Sequence, residues 1–258
     1  MNRINQTFKE LEKEKKTALI TFVVAGDPAL DTTEEIILAK IEGGADIIEM
    51  GIPFSDPLAD GPVIQASASR SLKSGTTIKA IFEMARNIRK KTEIPLVFLV
   101  YYNMILQYGT KRFINECYGI IDGLIIPDLP FEEQKELIAD LDQNQTALIP
   151  LIAPTSKNRI KDILENHKEH GFVYCVTTMG VTGIDVTFHK DLETYLRQVK
   201  EVSQIPVCAG FGVKDKEDVR RLSGLVDGVI IGSAIVNQID AQGFNKESLR
   251  IFIEELKK

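Results

Sequence analysis

Short uninterrupted apolar runs alternate along this chain with longer stretches in which apolar residues recur every three or four positions. The runs are Ala18–Ala25, Ile47–Met50, Leu96–Tyr101, Leu124–Ile126, Ala147–Ile152, Val173–Val176, Val207–Ala209 and Val229–Ile231. Continuously apolar and rich in Ile and Val, they read as strands covered on both faces, the pattern of a parallel sheet. The stretches between them read as amphipathic helices. Ile36, Ile37 and Ile41 share one face within Thr33–Ile41, and Ile78, Ile81, Phe82, Ala85 and Ile88 do so within Ile78–Ile88. Further helices are expected at Thr110–Cys117, Glu132–Leu141, Ser156–His167, Leu192–Val202, Asp215–Leu222 and Ser248–Leu256. Strand–helix alternation repeated eight times implies parallel strands joined by right-handed crossovers. Such units close into an α/β (β/α)8 TIM barrel more readily than they form an open sheet, which would need a reversal of strand order. An extra helix is expected at the N-terminus.

Composition narrows the class. The 258 residues suit one barrel, and no linker or composition shift divides them, so 1–258 is expected to be a single domain. The net charge of −6 argues against nucleic acid as the main partner, which needs a clustered basic face. The three cysteines, Cys117, Cys175 and Cys208, have no CxxC spacing and imply neither a disulfide framework nor a zinc knuckle. No apolar run approaches the ~18 residues that span a bilayer, and the charged stretch Met1–Lys16 lacks the apolar core of a signal peptide. A cytoplasmic, enzyme-sized protein is expected. Three strands are preceded by an aspartate, in Ala45-Asp46-Ile47, Ile121-Asp122-Gly123 and Val226-Asp227-Gly228. These read as strand-entry turns at the barrel bottom, where residues serve stability rather than catalysis.

The strand ends carry the candidate chemistry. Barrel enzymes commonly bind phosphate in the loops after strands 7 and 8, at a helix N-terminus. Here Ala209-Gly210-Phe211-Gly212-Val213 ends one strand and Ile231-Gly232-Ser233 the next, with Gly180-Val181-Thr182-Gly183 beside them. A single Gly-rich turn is more often a tight corner than a ligand site, but three converging loops favour an anion held by backbone N–H groups. Glu49 stands among apolar residues at a strand end, where desolvation should raise its pKa into the range of an acid/base group. The plainer alternative is a Glu paired with a basic neighbour or facing solvent. The loop Phe54-Ser55-Asp56-Pro57-Leu58-Ala59-Asp60-Gly61-Pro62 follows, dense in turn-formers, and brings Asp60 within folding distance of Glu49. Turn-capping is the alternative reading for Asp56 and Asp60. None of the eight apolar runs contains a Lys for a Schiff base, and the three His are scattered. What remains is acid/base chemistry by carboxylates on a phosphorylated substrate, without metal or cofactor.

The run Glu49-Met50-Gly51-Ile52-Pro53-Phe54-Ser55-Asp56-Pro57-Leu58-Ala59-Asp60-Gly61-Pro62 resembles the signature of the tryptophan synthase alpha subunit family. Ala25-Gly26-Asp27-Pro28, Tyr102-Asn103, Pro127-Asp128-Leu129-Pro130 and the three Gly-bearing loops extend the resemblance over essentially the whole chain. It implies a (β/α)8 barrel performing retro-aldol cleavage of indole-3-glycerol phosphate to indole and glyceraldehyde 3-phosphate, without a cofactor of its own. It also implies a partner, the beta subunit, a pyridoxal-phosphate enzyme, in an alpha2beta2 assembly. On the resemblance Glu49 is the acid/base and Asp60 accepts a hydrogen bond from the indole N–H. Phe22, Leu99, Ile125, Tyr174 and Phe211 would line the indole pocket, and Gly183, Gly212, Gly232 and Ser233 would cradle the phosphate. Thr182 would approach Asp60 on closure, with the stretches Asp56–Asp60 and Met179–His189 acting as lids. Pro53, Asp56 and Pro57 would meet the partner. Thr177-Thr178-Met179, Val24 and Val63 depart from the family's usual residues.

Overall fold

The computed structural model describes residues 2–167, 169–177, 192–210 and 212–258. The strands are β1 (Ala18–Val24), β2 (Ile47–Gly51), β3 (Leu96–Leu99), β4 (Gly123–Ile125), β5 (Ala147–Leu148), β6 (Leu151–Ile152), β7 (Val173–Val176), β8 (Val207–Gly210) and β9 (Gly228–Ile231). They form one sheet in the order β5-β4-β3-β2-β1-β9-β8-β7-β6, with every pairing parallel. The fifth expected strand is split in two. Pro150 has no N–H to give the ladder, so β5 pairs with β4 while β6 pairs with β7. The break also closes the sheet: the Ile149 N–H donates to the Leu124 carbonyl at 2.8 Å, and the Tyr174 N–H to the Pro150 carbonyl at 2.9 Å. The result is a barrel of eight staves.

Twelve helices accompany the strands among the described residues: α1 (Arg3–Glu14), α2 (Leu30–Glu42), α3 (Pro62–Lys73), α4 (Ile78–Arg89), α5 (Tyr102–Tyr108), α6 (Thr110–Cys117), α7 (Lys135–Gln143), α8 (Ile160–Leu164), α9 (Leu192–Val202), α10 (Lys216–Ser223), α11 (Ser233–Gln242) and α12 (Lys246–Leu256). Two were not expected from the sequence. The Gly61-Pro62 pair that looked like the end of a loop starts α3, with Pro62 in the first turn where a missing N–H costs nothing. Helix α5 follows β3 directly and buries only Ile105, too little for its period to show. The expected helix over Ser156–His167 is a 3-10 turn at Pro154–Arg159 followed by the short α8.

One core layer lies between staves and helices, where alternate strand residues such as Ile48, Met50, Phe98 and Leu124 meet helix faces such as that of α4 (Ile81, Phe82, Ala85, Ile88). A second fills the barrel interior with Ile20, Ile47, Val97, Ile125, Ile149 and Cys208. Helix α1 plugs the bottom by inserting Ile4, Phe8 and Leu11 into that inner layer.

The three aspartates before the strands share one device. The carboxylate of Asp46 accepts from the Leu19 N–H at 2.7 Å, that of Asp122 from Leu96 at 2.9 Å, and that of Asp227 from Val207 at 2.8 Å. In return their own N–H groups donate to the carbonyls of Leu19, Leu96 and Val207. Each aspartate thus fastens the entry of a neighbouring stave, on the face opposite the candidate site, as a stability role requires.

Candidate active site

At the C-terminal ends of the staves, a pocket is lined by Phe22, Glu49, Asp60, Ile64, Leu99, Tyr174, Gly212, Val213, Ile230, Gly232 and Ser233. Glu49 points inward from β2 and is 1% exposed. Its Oε2 has no hydrogen-bond partner among the described residues. Burial and the nearby Asp60 push its carboxyl up to about 8, against the pull of the Lys40 ammonium. An unpartnered acid at this depth is what a proton donor to a bound molecule looks like before the molecule arrives.

Asp60 comes from the loop after β2. Desolvation pushes it up to about 6, and a hydrogen bond from the Tyr101 hydroxyl opposes the rise. Tyr101 itself is 2% exposed, stacks on Phe54 at 5.0 Å between ring centroids, and accepts the Ala59 N–H at 3.0 Å. This ring therefore ties the carboxylate-bearing loop to the top of β3. The two carboxyls are held apart in acidity, so near neutrality Glu49 keeps its proton while Asp60 is ionised.

The walls between and beneath them are apolar. The Phe22 ring passes so close to Gly51 that a Cβ there would stand 2.6 Å from it, and a Cβ on Gly232 would stand 3.3 Å from the Phe22 Cβ. Tyr174 reaches in from β7, its hydroxyl 2.7 Å from where a Cβ of Gly210 would lie. On the same lining, α11 begins at Ser233 with Gly232 as its N-cap. The first N–H groups of a helix have no partner within it and carry the positive end of its dipole, which makes them an anion seat. Gly212, at φ +79°, takes the left-handed backbone that a side chain resists.

The pocket gathers eight of the residues singled out from the sequence: Glu49, Asp60, Phe22, Leu99, Tyr174, Gly212, Gly232 and Ser233. It does not gather Ile125, which is fully buried in the inner barrel layer next to Leu99 and lies outside the lining. Thr182, Gly183 and Phe211, with the stretch Met179–His189, lie outside the described residues. Pro53 is buried, Pro57 half-buried and Asp56 exposed on the loop whose tip, Leu58, is 85% exposed. Sequence reading missed Ile64, because it missed α3, and Tyr101, which stood at the end of an apolar run with nothing to mark its hydroxyl. It also missed Lys40, buried on α2 with its ammonium on the Phe22 carbonyl. Among the described residues no three His, Cys, Asp or Glu side chains gather as metal ligands would, and no helix is long and apolar enough to cross a membrane.

Known proteins resemble this chain along nearly its whole length. A family model described as "Tryptophan synthase alpha chain" matches residues 8–257. The tryptophan synthase alpha chain of Caldanaerobacter subterraneus subsp. tengcongensis is 53% identical over 247 residues, covering 95% of this chain and 93% of its own. The structure of Mycobacterium tuberculosis tryptophan synthase superposes with a TM-score of 0.90 at 30% identity, over 99% of this chain and 97% of that one. A chain of the tryptophan synthase α2β2 complex of Pyrococcus furiosus, studied for mutual activation, superposes with a TM-score of 0.85 at 35% identity, over 93% of this chain and 98% of that one. With the model spanning nearly every residue and relatives this similar along their whole length, the chain belongs to the tryptophan synthase alpha chain family.

Proposed function

We propose that this chain cleaves indole-3-glycerol phosphate to indole and glyceraldehyde 3-phosphate, with Glu49 and Asp60 as its acid/base pair. The observation that carries the reading is the buried Glu49 carboxyl with an unpartnered Oε2, lining together with Asp60 one largely apolar pocket that also takes in the N-terminus of α11. The phosphate sits at Gly232, Ser233 and Gly212, bound by backbone N–H groups, and Gly183 completes the cradle. The indole lies against Phe22, Leu99 and Tyr174. The Glu49 carboxyl gives its proton to the ring carbon that bears the glycerol chain, and the positive charge that appears on the ring nitrogen is stabilised by the Asp60 carboxylate. Glu49, now a carboxylate, takes the proton of the adjacent hydroxyl. The carbon–carbon bond then breaks, its electrons return to the ring nitrogen, and indole and the aldehyde separate with Glu49 protonated again. No metal, cofactor or Schiff base takes part.

The loop Pro53–Asp60 supports a partner. Leu58 is a large apolar side chain at 85% exposure beside the exposed Asp56 and half-buried Pro57, on the loop that carries Asp60 into the pocket. An apolar side chain held out in solvent suits contact with a second protein. That protein is the beta subunit, carrying the pyridoxal phosphate. Indole release from indole-3-glycerol phosphate, measured with and without a beta subunit, tests the proposal. The isolated chain should be slow and accelerate markedly with the partner. Equal rates would mean a free-standing lyase, and no indole in either condition would overturn the assignment.

A further inference from the structure

The loop after β1, residues 25–28, is stitched to α3 by polar side chains that the chemistry above does not use. Arg70 holds the Asp27 carboxylate with two parallel bonds, from Nε at 2.8 Å and from Nη2 at 2.7 Å, and the Ser67 hydroxyl donates to the same carboxylate. The Ser71 hydroxyl donates to the Ala25 carbonyl at 2.6 Å. Ser67, Arg70 and Ser71 are spaced three and four apart, so they share one face of α3. Ser67 and Ser71 are buried, and the Asp27 side chain is 10% exposed. From the same helix Ile64 and Ala68 pack with Phe22 and Val24 of β1 and with Val236 of α11 in one apolar cluster. The remaining guanidinium nitrogen of Arg70, Nη1, reaches Asp240 in the last turn of α11 at 3.2 Å. Apolar side chains of similar volume would hold these elements together without burying a carboxylate. What a bidentate fork adds is a single geometry.

Both helices joined by this fork begin at the pocket. Helix α3 starts directly after Asp60, with Gly61 as its N-cap, and its Gln65 amide donates to the Asp60 carbonyl at 2.8 Å. Helix α11 starts at Gly232 and Ser233, the proposed phosphate seat. We propose that Asp27 and Arg70 are positioning residues for the cleavage. The fork fixes α3, and with it Asp60, on the end of β1, and its third arm holds α3 to α11, so that the ring and phosphate ends of one substrate are met at one spacing. Neither residue lines the pocket, so the pair acts through the helices and not by contact with the substrate. The proposal rests on the reading of Asp60 as the carboxylate facing the indole and of α11 as the phosphate seat.

The test compares a ligand that spans both ends with one that occupies a single end, in the full chain together with a beta subunit. Steady-state cleavage of indole-3-glycerol phosphate gives kcat and KM, and calorimetric titration with inorganic phosphate reads the seat alone. Arg70→Lys keeps the charge and loses the fork. The double variant Asp27→Asn with Arg70→Met removes the ion pair without stranding either charge, so it should fold with a urea midpoint close to the parent's. Both should lose about tenfold or more in kcat/KM, most of it in kcat, because a slightly misplaced reacting group is costly, while phosphate affinity stays within about twofold of the parent. A kcat/KM within about twofold of the parent in the folded variants overturns the proposal. So does an equal loss of phosphate affinity, which would mean a damaged seat and not a changed spacing. Failure of both variants to fold also overturns it, since the pair would then be structural only. Asp60→Asn is measured alongside. Parent-like turnover there removes the reading beneath the proposal, and the proposal with it. Parent-like turnover in the Arg70 variants beside an inactive Asp60→Asn sinks the proposal and leaves that reading standing.

Discussion

Glu49→Gln should reduce cleavage of indole-3-glycerol phosphate by about 10²–10⁴-fold, the loss typical of one acid/base group. The amide has the shape of the protonated carboxyl, and the site already holds that group neutral near pH 7. Packing should therefore be unchanged. Stability should if anything improve at high pH, because the variant has no carboxyl to ionise at a buried position. Substrate binding should persist too, since the proposed phosphate seat at Gly232 and Ser233 is formed by the N-terminus of α11 and not by Glu49. The expected signature is thus a collapse of kcat with KM within a few-fold of the parent. Near-normal turnover in the variant would remove Glu49 from the chemistry, whatever the pocket looks like.

The largest expected effect on stability comes from the opposite face. The Asp122 side chain is 5% exposed and meets Arg89 at 2.8 Å and Arg3 at 3.1 Å while also accepting the Leu96 N–H. Asp122→Ala strands the Arg89 guanidinium, itself only 10% exposed, and unfastens β3 from β4 at their entry. Breaking a buried ion pair from one side typically costs about 3–5 kcal/mol, a large part of the roughly 5–15 kcal/mol that holds a domain folded. Urea unfolding should show that loss, with cleavage by the folded fraction unaffected because Asp122 lies at the far end of the barrel from Glu49. A change below about 1 kcal/mol would place the cluster with ordinary surface ion pairs.

The staves were readable because a strand covered on both faces has no choice but to be apolar throughout, and the three aspartates stood out as the polar residues at their entries. The carboxylates were readable for the converse reason: Glu49 is a charge in a position that burial makes costly. The resemblance put Ile125 on the pocket wall, but its depth was not legible. It points inward beside Leu99, yet sits in the packed interior and outside the pocket lining. The break at Pro150 was visible as a residue and not as an event, because whether a missing N–H splits a strand depends on which neighbours it would have paired with. Lys40 was the most legible of the missed residues. It lies four positions after Ile36 and three after Ile37, on the apolar face of α2, which is where a lysine should not be unless something inside needs it. Tyr101 had no such signal, since its tie to Asp60 joins positions that only the closed barrel brings together.

The claim at the centre of this account is that cleavage needs Glu49 protonated and Asp60 ionised at once. The pH dependence of kcat/KM for indole-3-glycerol phosphate reads that condition directly, because it reports the groups of the free enzyme. Activity should rise as Asp60 loses its proton through about pH 6, reach its maximum near neutrality, and fall as Glu49 loses its own through about pH 8. Both limbs belong to the pair as a coupled unit, and Asp60→Asn should abolish the acid limb and move the alkaline one to lower pH, because the Asp60 charge no longer raises Glu49. A profile that is flat from pH 5 to 9, or one that keeps rising through pH 8, would contradict the account, since neither is possible if a protonated Glu49 starts the reaction.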